Sequence, residues 1–275
     1  MPVWCLLRTF RKISQLTLHS DYGSASFHSQ VPSLKAKPTL RPGVVQVWQV
    51  PLGPPSWTID HWSLLSEDER SRAKRLVDQV HQQRFVAARA WARRIIAYHM
   101  DEQPGRIRFE QGEHGKPRVG EPLGAIEFSL SHSGDIALLA LSSNAMVGVD
   151  VERHDRKVEY REIAERFFSP AENEVMKGLR HDPVLLAEAF FTCWTRKEAY
   201  VKGTGYGLSR GLTHFDVTVA PGLRPRLIAD RLDPTAADRW ELLDVTVPSG
   251  YCGALAVEGP VEKLILHEAG DLNLG

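Results

Sequence analysis

From about residue 43 onward, apolar residues recur either at every second position or at helical spacing, and the two periods predict an ordered series of strands and helices. Val44 to Val50 reads as a strand stopped by Pro51 and the Gly53-Pro54-Pro55 turn. Ser66 with Glu69 three residues on predicts a capping box that opens a helix continued to Val77. A longer helix follows from Val80 to about Met100, with Phe85, Ala88, Trp91, Ile95 and Tyr98 as its core stripe. Strands are expected at Ile107 to Phe109, from Ile126 to the Ser131-His132-Ser133 cluster, from Ile136 to Leu141, and from Met146 to Glu152. Three helices come next: Tyr160 to Phe168, Pro170 to about Leu179 under a Ser169 cap, and Asp182 to Lys202. Gly203, Gly205 and Gly207 end the last of these. The remainder reads as strands at Leu212 to Val219, near Leu227, and at Glu241 to Val247, Tyr251 to Val257 and Val261 to His267. Helices followed by short strands in each half suggest an α+β chain of two similar units.

Two stretches carry the chemistry. In Val147 to Arg153, Asp150 and Glu152 alternate with Val149 and Val151, so on a strand both carboxylates leave the same face. In the helix ending near Lys202, Glu198 and Lys202 stand four apart and share a helical face. Together they offer three carboxylates to a hard divalent cation and an ammonium to the anion such a cation would carry.

Composition narrows the options. The chain has 275 residues with 34 basic and 34 acidic side chains and a pI near 7.2, so no global field recruits nucleic acid. Any anion binding must come from local patches. Cys5, Cys193 and Cys252 are odd in number and lack C-x-x-C spacing, which argues against a disulfide framework or structural zinc and fits a reducing, cytoplasmic setting. No apolar run approaches the ~20 residues that span a bilayer, so no membrane partner is expected. Residues 1–42 hold six basic residues against one acidic, with Ser, His and Pro in place of apolar periodicity, and are read as a basic disordered extension or a transit segment outside the fold.

Several further groups could meet an anion. Arg70, Arg72, Lys74, Arg75, Arg84, Arg89, Arg93 and Arg94 cluster on the first helical pair; most such residues are a solvated face, yet a fork on one phosphate needs only a few. Gly115-Lys116-Pro117 is a loop that displays Lys116. Ser131 and His132 end a strand beside a glycine turn, where they either donate to phosphate oxygens or satisfy their own backbone. No G-x-S-x-G elbow accompanies them, so a hydrolase triad is not expected. The Gly203 to Gly207 run follows a helix and lacks the strand-to-helix setting of a dinucleotide loop.

Taken in order, Gly115-Lys116-Pro117, Phe128-Ser129-Leu130-Ser131-His132-Ser133, Gly148-Val149-Asp150-Val151-Glu152, Arg166-Phe167-Phe168-Ser169 with Glu172, and Trp194-Thr195-Arg196-Lys197-Glu198-Ala199 with Lys202 resemble the signatures of the 4'-phosphopantetheinyl transferases. The long, two-lobed, surfactin-synthetase-activator-like form is the nearest match, over roughly Val44 to Val257. The resemblance implies a monomer of two α+β lobes related by a pseudo-twofold axis, each with helices on a small antiparallel sheet, here 43–143 and 144–268. It implies coenzyme A in the cleft between them, and transfer of its 4'-phosphopantetheine arm to a serine of an apo acyl, peptidyl or aryl carrier protein, releasing 3',5'-ADP. By the same resemblance Asp150, Glu152 and Glu198 would ligate magnesium, and Lys202 would meet the pyrophosphate. Lys116, Ser131 and His132 would contact phosphate and nucleotide, Lys197 would reinforce Lys202, and Arg72 and Arg84 would lie near the 3'-phosphate. Some relatives carry a lysine three positions before Arg72, where this chain has Glu69. Glu198, directly or through a water, is the base expected for the serine proton.

Two other classes compete. A non-catalytic pair of lobes binding coenzyme A or a carrier would be expected to have lost one of the three carboxylates or Lys202, and all are present. A divalent-metal phosphodiesterase would more often show His-Asp metal pairs, and His154-Asp155 and His181-Asp182 fall in polar loops.

Overall fold

In the computed structural model, residues 39–54, 59–112, 114–120, 126–154 and 159–272 are described; most of the basic extension, including Cys5, and the Asp155 end of the 153–157 loop lie outside them. Leu40 already packs on the core, so the fold begins slightly before the expected boundary at 43.

The first half comprises β1 (Val44–Pro51), α1 (Ile59–Leu64), α2 (Glu67–Lys74), α3 (Gln79–Met100), the short β2 (Phe109–Gln111) and β3 (Pro117–Val119), β4 (Glu127–Ser133) and β5 (Ile136–Ser142). The second half holds β6 (Val147–Arg153), α4 (Tyr160–Phe167), α5 (Pro170–Gly178), α6 (Pro183–Thr204), β7 (Phe215–Val217), β8 (Leu227–Asp230), β9 (Trp240–Asp244), β10 (Tyr251–Glu258) and β11 (Lys263–Glu268). The chain is α+β. β1, β5 and β4 pair antiparallel, and β6, β10 and β9 form a second small antiparallel sheet.

One strand breaks the expected division. β11 crosses back and pairs in parallel with β1, from Val44 opposite Lys263 to Gln49 opposite Glu268. The 144–268 unit therefore gives its last strand to the first sheet. A parallel partner cannot be reached by a hairpin, so nothing local in the sequence announces it.

The expected capping box forms at Ser66, and the expected Ser169 cap is completed into a second box by Glu172. Ser66 and Glu69 satisfy each other's backbone at the start of α2, and Ser169 and Glu172 do so at α5, with Pro170 at its first position. Of the expected stripe on α3, Ala88 and Ile95 are buried in the main core and Trp91 and Tyr98 pack against it, joined by Ala92 and Ile96, while Phe85 packs on the smaller cluster of α1 and α2. Arg89 and Arg93 leave the solvated face. Arg93 donates to Glu69 Oε2 from Nε at 3.0 Å and from Nη2 at 2.8 Å, and Arg89 Nε reaches Glu69 Oε1 at 2.5 Å. Burial alone would raise the Glu69 carboxyl, but Arg89, the Ser66 amide and Arg93 together hold it below its ordinary value. Glu69 is thus an internal counter-ion for Arg89 and Arg93.

α6 is buried through Ala189 to Val201, Arg196 and Lys197 included, and it lies across β6 at a contact between backbones. A Cβ at Gly148 would fall inside the van der Waals radii of the Ala199 carbonyl oxygen and the Gly203 nitrogen. The crossing brings the last turn of α6 against the strand that carries the acidic pair.

Candidate active site

β4 and β6 lie side by side and join the two sheets through hydroxyls instead of ladder bonds. The period-two row Ser129, Ser131, Ser133 points at β6: Ser129 Oγ accepts from the Val149 N–H at 3.0 Å, and Ser133 Oγ accepts from the Arg153 N–H at 3.1 Å. The same row reaches the carboxylates. Ser131 Oγ donates to Asp150 Oδ1 at 2.8 Å, and Ser133 Oγ donates to Glu152 Oε2 at 2.7 Å. Ser129 and Ser133 were not among the expected site residues, although their alternation with Phe128, Leu130 and His132 was available as a signal.

Lys202 enters from α6. Its Nζ donates to Asp150 Oδ1 at 2.5 Å and to Ser131 Oγ at 2.8 Å, so Asp150, Ser131 and Lys202 form one hydrogen-bonded group. Burial would lower the Lys202 ammonium, but the Asp150 and Glu198 charges outweigh it and raise it. Glu198 and Glu152 respond in the opposite sense from ordinary carboxylates: burial, and then the charge of Asp150, push each up to about 8.

Among the described residues, no three His, Cys, Asp or Glu side chains are already gathered as a cation cage. Two oxygens nevertheless point to a missing partner. Asp150 Oδ2 and Glu198 Oε1 are buried with no hydrogen bond, and a buried acceptor left unpaired is costly. The donor set is all oxygen and negatively charged, which fits a hard divalent ion such as magnesium.

The remaining expected residues divide. His132 lies in the same region, its imidazole pushed down to about 3 by burial and by the charges of Lys202, His81, Arg84 and Arg72. Arg84 Nη2 is on Asp135 at 2.5 Å, and the exposed Arg72 guanidinium lies over the Phe85 ring. Lys116 is not turned toward the carboxylates. Its Nζ donates to the Gly203 carbonyl at 3.0 Å and stands 3.6 Å from Glu127, which places a cation at the C-terminal end of α6.

Lys197 requires correction. Its Nζ donates to both Glu172 oxygens, at 2.7 and 2.6 Å, and to the Phe215 carbonyl at 2.7 Å, so all three donors are spent inside the second core. Successive residues on a helix point about 100° apart, and a side chain next to Glu198 cannot share its direction. Glu172 also accepts from the Val217 N–H at 2.8 Å, a role beyond its expected cap. Lys197→Met should destabilise the chain by about 3–5 kcal/mol, because it strands the Glu172 charge; urea unfolding checks this, and an unchanged midpoint would show the pair to be dispensable.

The match to known proteins follows the same division. Residues 54–144 match the family described as 4'-phosphopantetheinyl transferase, N-terminal, and residues 146–256 match the 4'-phosphopantetheinyl transferase superfamily. The 4'-phosphopantetheinyl transferase HetI of Nostoc sp. is 32% identical over 224 residues, covering 80% of this chain and 90% of its own. The 4'-phosphopantetheinyl transferase Sfp of Bacillus subtilis is 31% identical over 155 residues, covering 56% of this chain and 66% of its own. The solved holo-[acyl-carrier-protein] synthase of Thermotoga maritima overlaps 42% of this chain and 65% of its own at 22% identity, with a TM-score of 0.34 too low to carry an argument. The second matched stretch contains both the acidic strand and the Glu198 helix, and the chain belongs to the 4'-phosphopantetheinyl transferase family, of the Sfp-like type.

Proposed function

We propose that this chain transfers the 4'-phosphopantetheine arm of coenzyme A to a serine hydroxyl of an apo carrier protein and releases 3',5'-ADP. The observation that carries the reading is the pair of buried, unpartnered oxygens on Asp150 and Glu198 beside the Lys202 ammonium. A site of that kind is built for a charged ligand that brings its own cation.

Asp150, Glu152 and Glu198 would hold magnesium, which supplies charge neutralisation at the pyrophosphate as the leaving group departs. The protein's own groups divide the rest of the work. The carrier serine oxygen forms a bond to the β-phosphorus while the bond from that phosphorus to the bridging oxygen breaks, and 3',5'-ADP leaves with the electron pair. The serine proton passes to Glu198, directly or through a water. Lys202 stabilises the developing negative charge, and Ser131 and Ser133 fix Asp150 and Glu152. His132 and Arg84 would meet the phosphates of coenzyme A.

A monomer acting in the cytoplasm belongs to the same reading. The free Cys193 and Cys252 fit the reducing compartment of that reading. Incubation with apo carrier protein, coenzyme A and magnesium, followed by mass spectrometry of the carrier, tests the function. Addition of the arm is expected; binding of coenzyme A without transfer would select a non-catalytic module instead. Asp150→Ala should raise the magnesium concentration for half-maximal transfer by about tenfold or more, since it removes one ligand charge. Unchanged magnesium dependence would exclude Asp150 as a ligand.

A further inference from the structure

Arg84 and Asp135 form an ion pair that the reading above does not use. Arg84 projects from α3, and its Nη2 is 2.5 Å from Asp135 Oδ1. Asp135 follows Gly134 in the turn between β4 and β5, and its own N–H donates to the Tyr251 hydroxyl at 3.1 Å. Tyr251 opens β10, in the sheet that carries Asp150 and Glu152. The turn has little freedom. Gly134 has φ +53, and a Cβ there would come 2.6 Å from the Tyr251 hydroxyl and 3.0 Å from Arg153 Cδ.

Asp135 is therefore fixed by its backbone to the second sheet while its carboxylate grips a side chain of the first half. Arg84 is directed by that grip. Its side chain is 17% exposed, and its Nε is buried with no hydrogen-bond partner. An arginine whose terminal nitrogen is anchored and whose Nε is left without an acceptor is arranged for an incoming oxyanion. Arg84 is one of four basic groups, with Lys202, His81 and Arg72, close enough to act on His132, so the positive charge of this region is concentrated there.

We infer that Asp135 is a positioning residue for the coenzyme, holding Arg84 so that its unpartnered edge receives the terminal phosphate monoester of coenzyme A. The inference rests on the function proposed above. A carboxylate near a phosphate site also repels the ligand, and the two effects oppose each other. Asp135 is 51% exposed, so solvent screens its charge, whereas the largely buried Arg84 depends on its partner for orientation. Positioning outweighs repulsion.

The test compares Asp135→Ala and Asp135→Glu with the parent protein, using coenzyme A and 3'-dephospho-coenzyme A as alternative substrates. For Asp135→Ala, KM for coenzyme A should rise about 5- to 20-fold with kcat within twofold, the effect of one lost charged hydrogen bond. KM for 3'-dephospho-coenzyme A should stay within twofold, and Asp135→Glu should recover part of the loss. Equal changes with both substrates would show a merely structural role and overturn the inference. A lower KM for coenzyme A would make Asp135 a competitor for Arg84 and overturn it as well, as would no change at all. Calorimetric binding of both coenzymes to the same three proteins keeps the two readings apart: absence of transfer by the parent chain refutes the proposed function, while the binding difference still decides on Asp135.

Discussion

Glu198→Gln should lower kcat for phosphopantetheine transfer by roughly 10²–10⁴-fold while leaving the protein folded. Glutamine keeps the volume and can fill the same buried position on α6, but its amide cannot take the serine proton and brings no charge to a cation. Glu198 is 4% exposed, so bulk water cannot replace it as an acceptor without rearrangement of the helix end. The stability of the same variant separates chemistry from folding. In the metal-free chain the folded carboxyl is raised from 4.5 to about 8 by burial and by Asp150, so the native state binds the proton more tightly than the unfolded state does. Its stabilising contribution is complete below pH 4.5 and is lost as pH rises through 8. Glutamine removes that loss, and the variant should melt no lower than the parent at pH 8 without added metal. Full turnover by Glu198→Gln would remove Glu198 from both the proton-accepting and the cation-binding role.

What the sequence disclosed and what it withheld have physical reasons. The capping boxes at Ser66 and Ser169, the acidic alternation in β6 and the four-residue step from Glu198 to Lys202 are local patterns, written within one turn or one strand. Local patterns survive folding. The parallel pairing of β11 with β1 joins residues more than 200 positions apart, and its apolar alternation says only that it is a strand, not which edge it takes. Lys197 was misplaced because a lysine beside the glutamate proposed as base reads as a second cation for the same anion. Its real partner, Glu172, is 25 residues away and could be matched to it only through the packing of α5 on α6. Lys116 likewise reads as a displayed loop cation, while its stem lies along Gly205 and its ammonium closes the end of α6. The site as a whole was legible because its charges are concentrated in two short segments. The serine seam that holds those segments together required the placement of β4 against β6.

Gly148→Ala should be the most damaging single methyl addition in the second half, because the added carbon has no side chain to push aside. At Gly148 a Cβ meets the carbonyl oxygen of Ala199 and the amide nitrogen of Gly203, both main-chain atoms of α6. Overpacking of a core typically costs about 1–3 kcal/mol even where side chains can adjust. Here relief requires the whole helix to move, and α6 is buried through most of its length, with Gly203 in turn lying against the Trp240 ring. A loss of about 3 kcal/mol or more is expected, read as a lowered urea midpoint or as insoluble protein. Gly178→Ala is the matched control: it lies at the end of α5 with open space around its Cβ position, and alanine there should be neutral or stabilising by up to about 1 kcal/mol. Any folded Gly148→Ala protein carries a second consequence. Glu198 precedes Ala199 and Lys202 precedes Gly203, so a helix displaced at those two contacts carries the proposed base and ammonium away from Asp150 together. Its kcat should fall more than its KM for coenzyme A rises, a split that simple loss of folded protein would not produce. Parent-like stability in Gly148→Ala would mean that α6 can slide on β6, and the fixed placement of Glu198 and Lys202 argued from this crossing would fall with it.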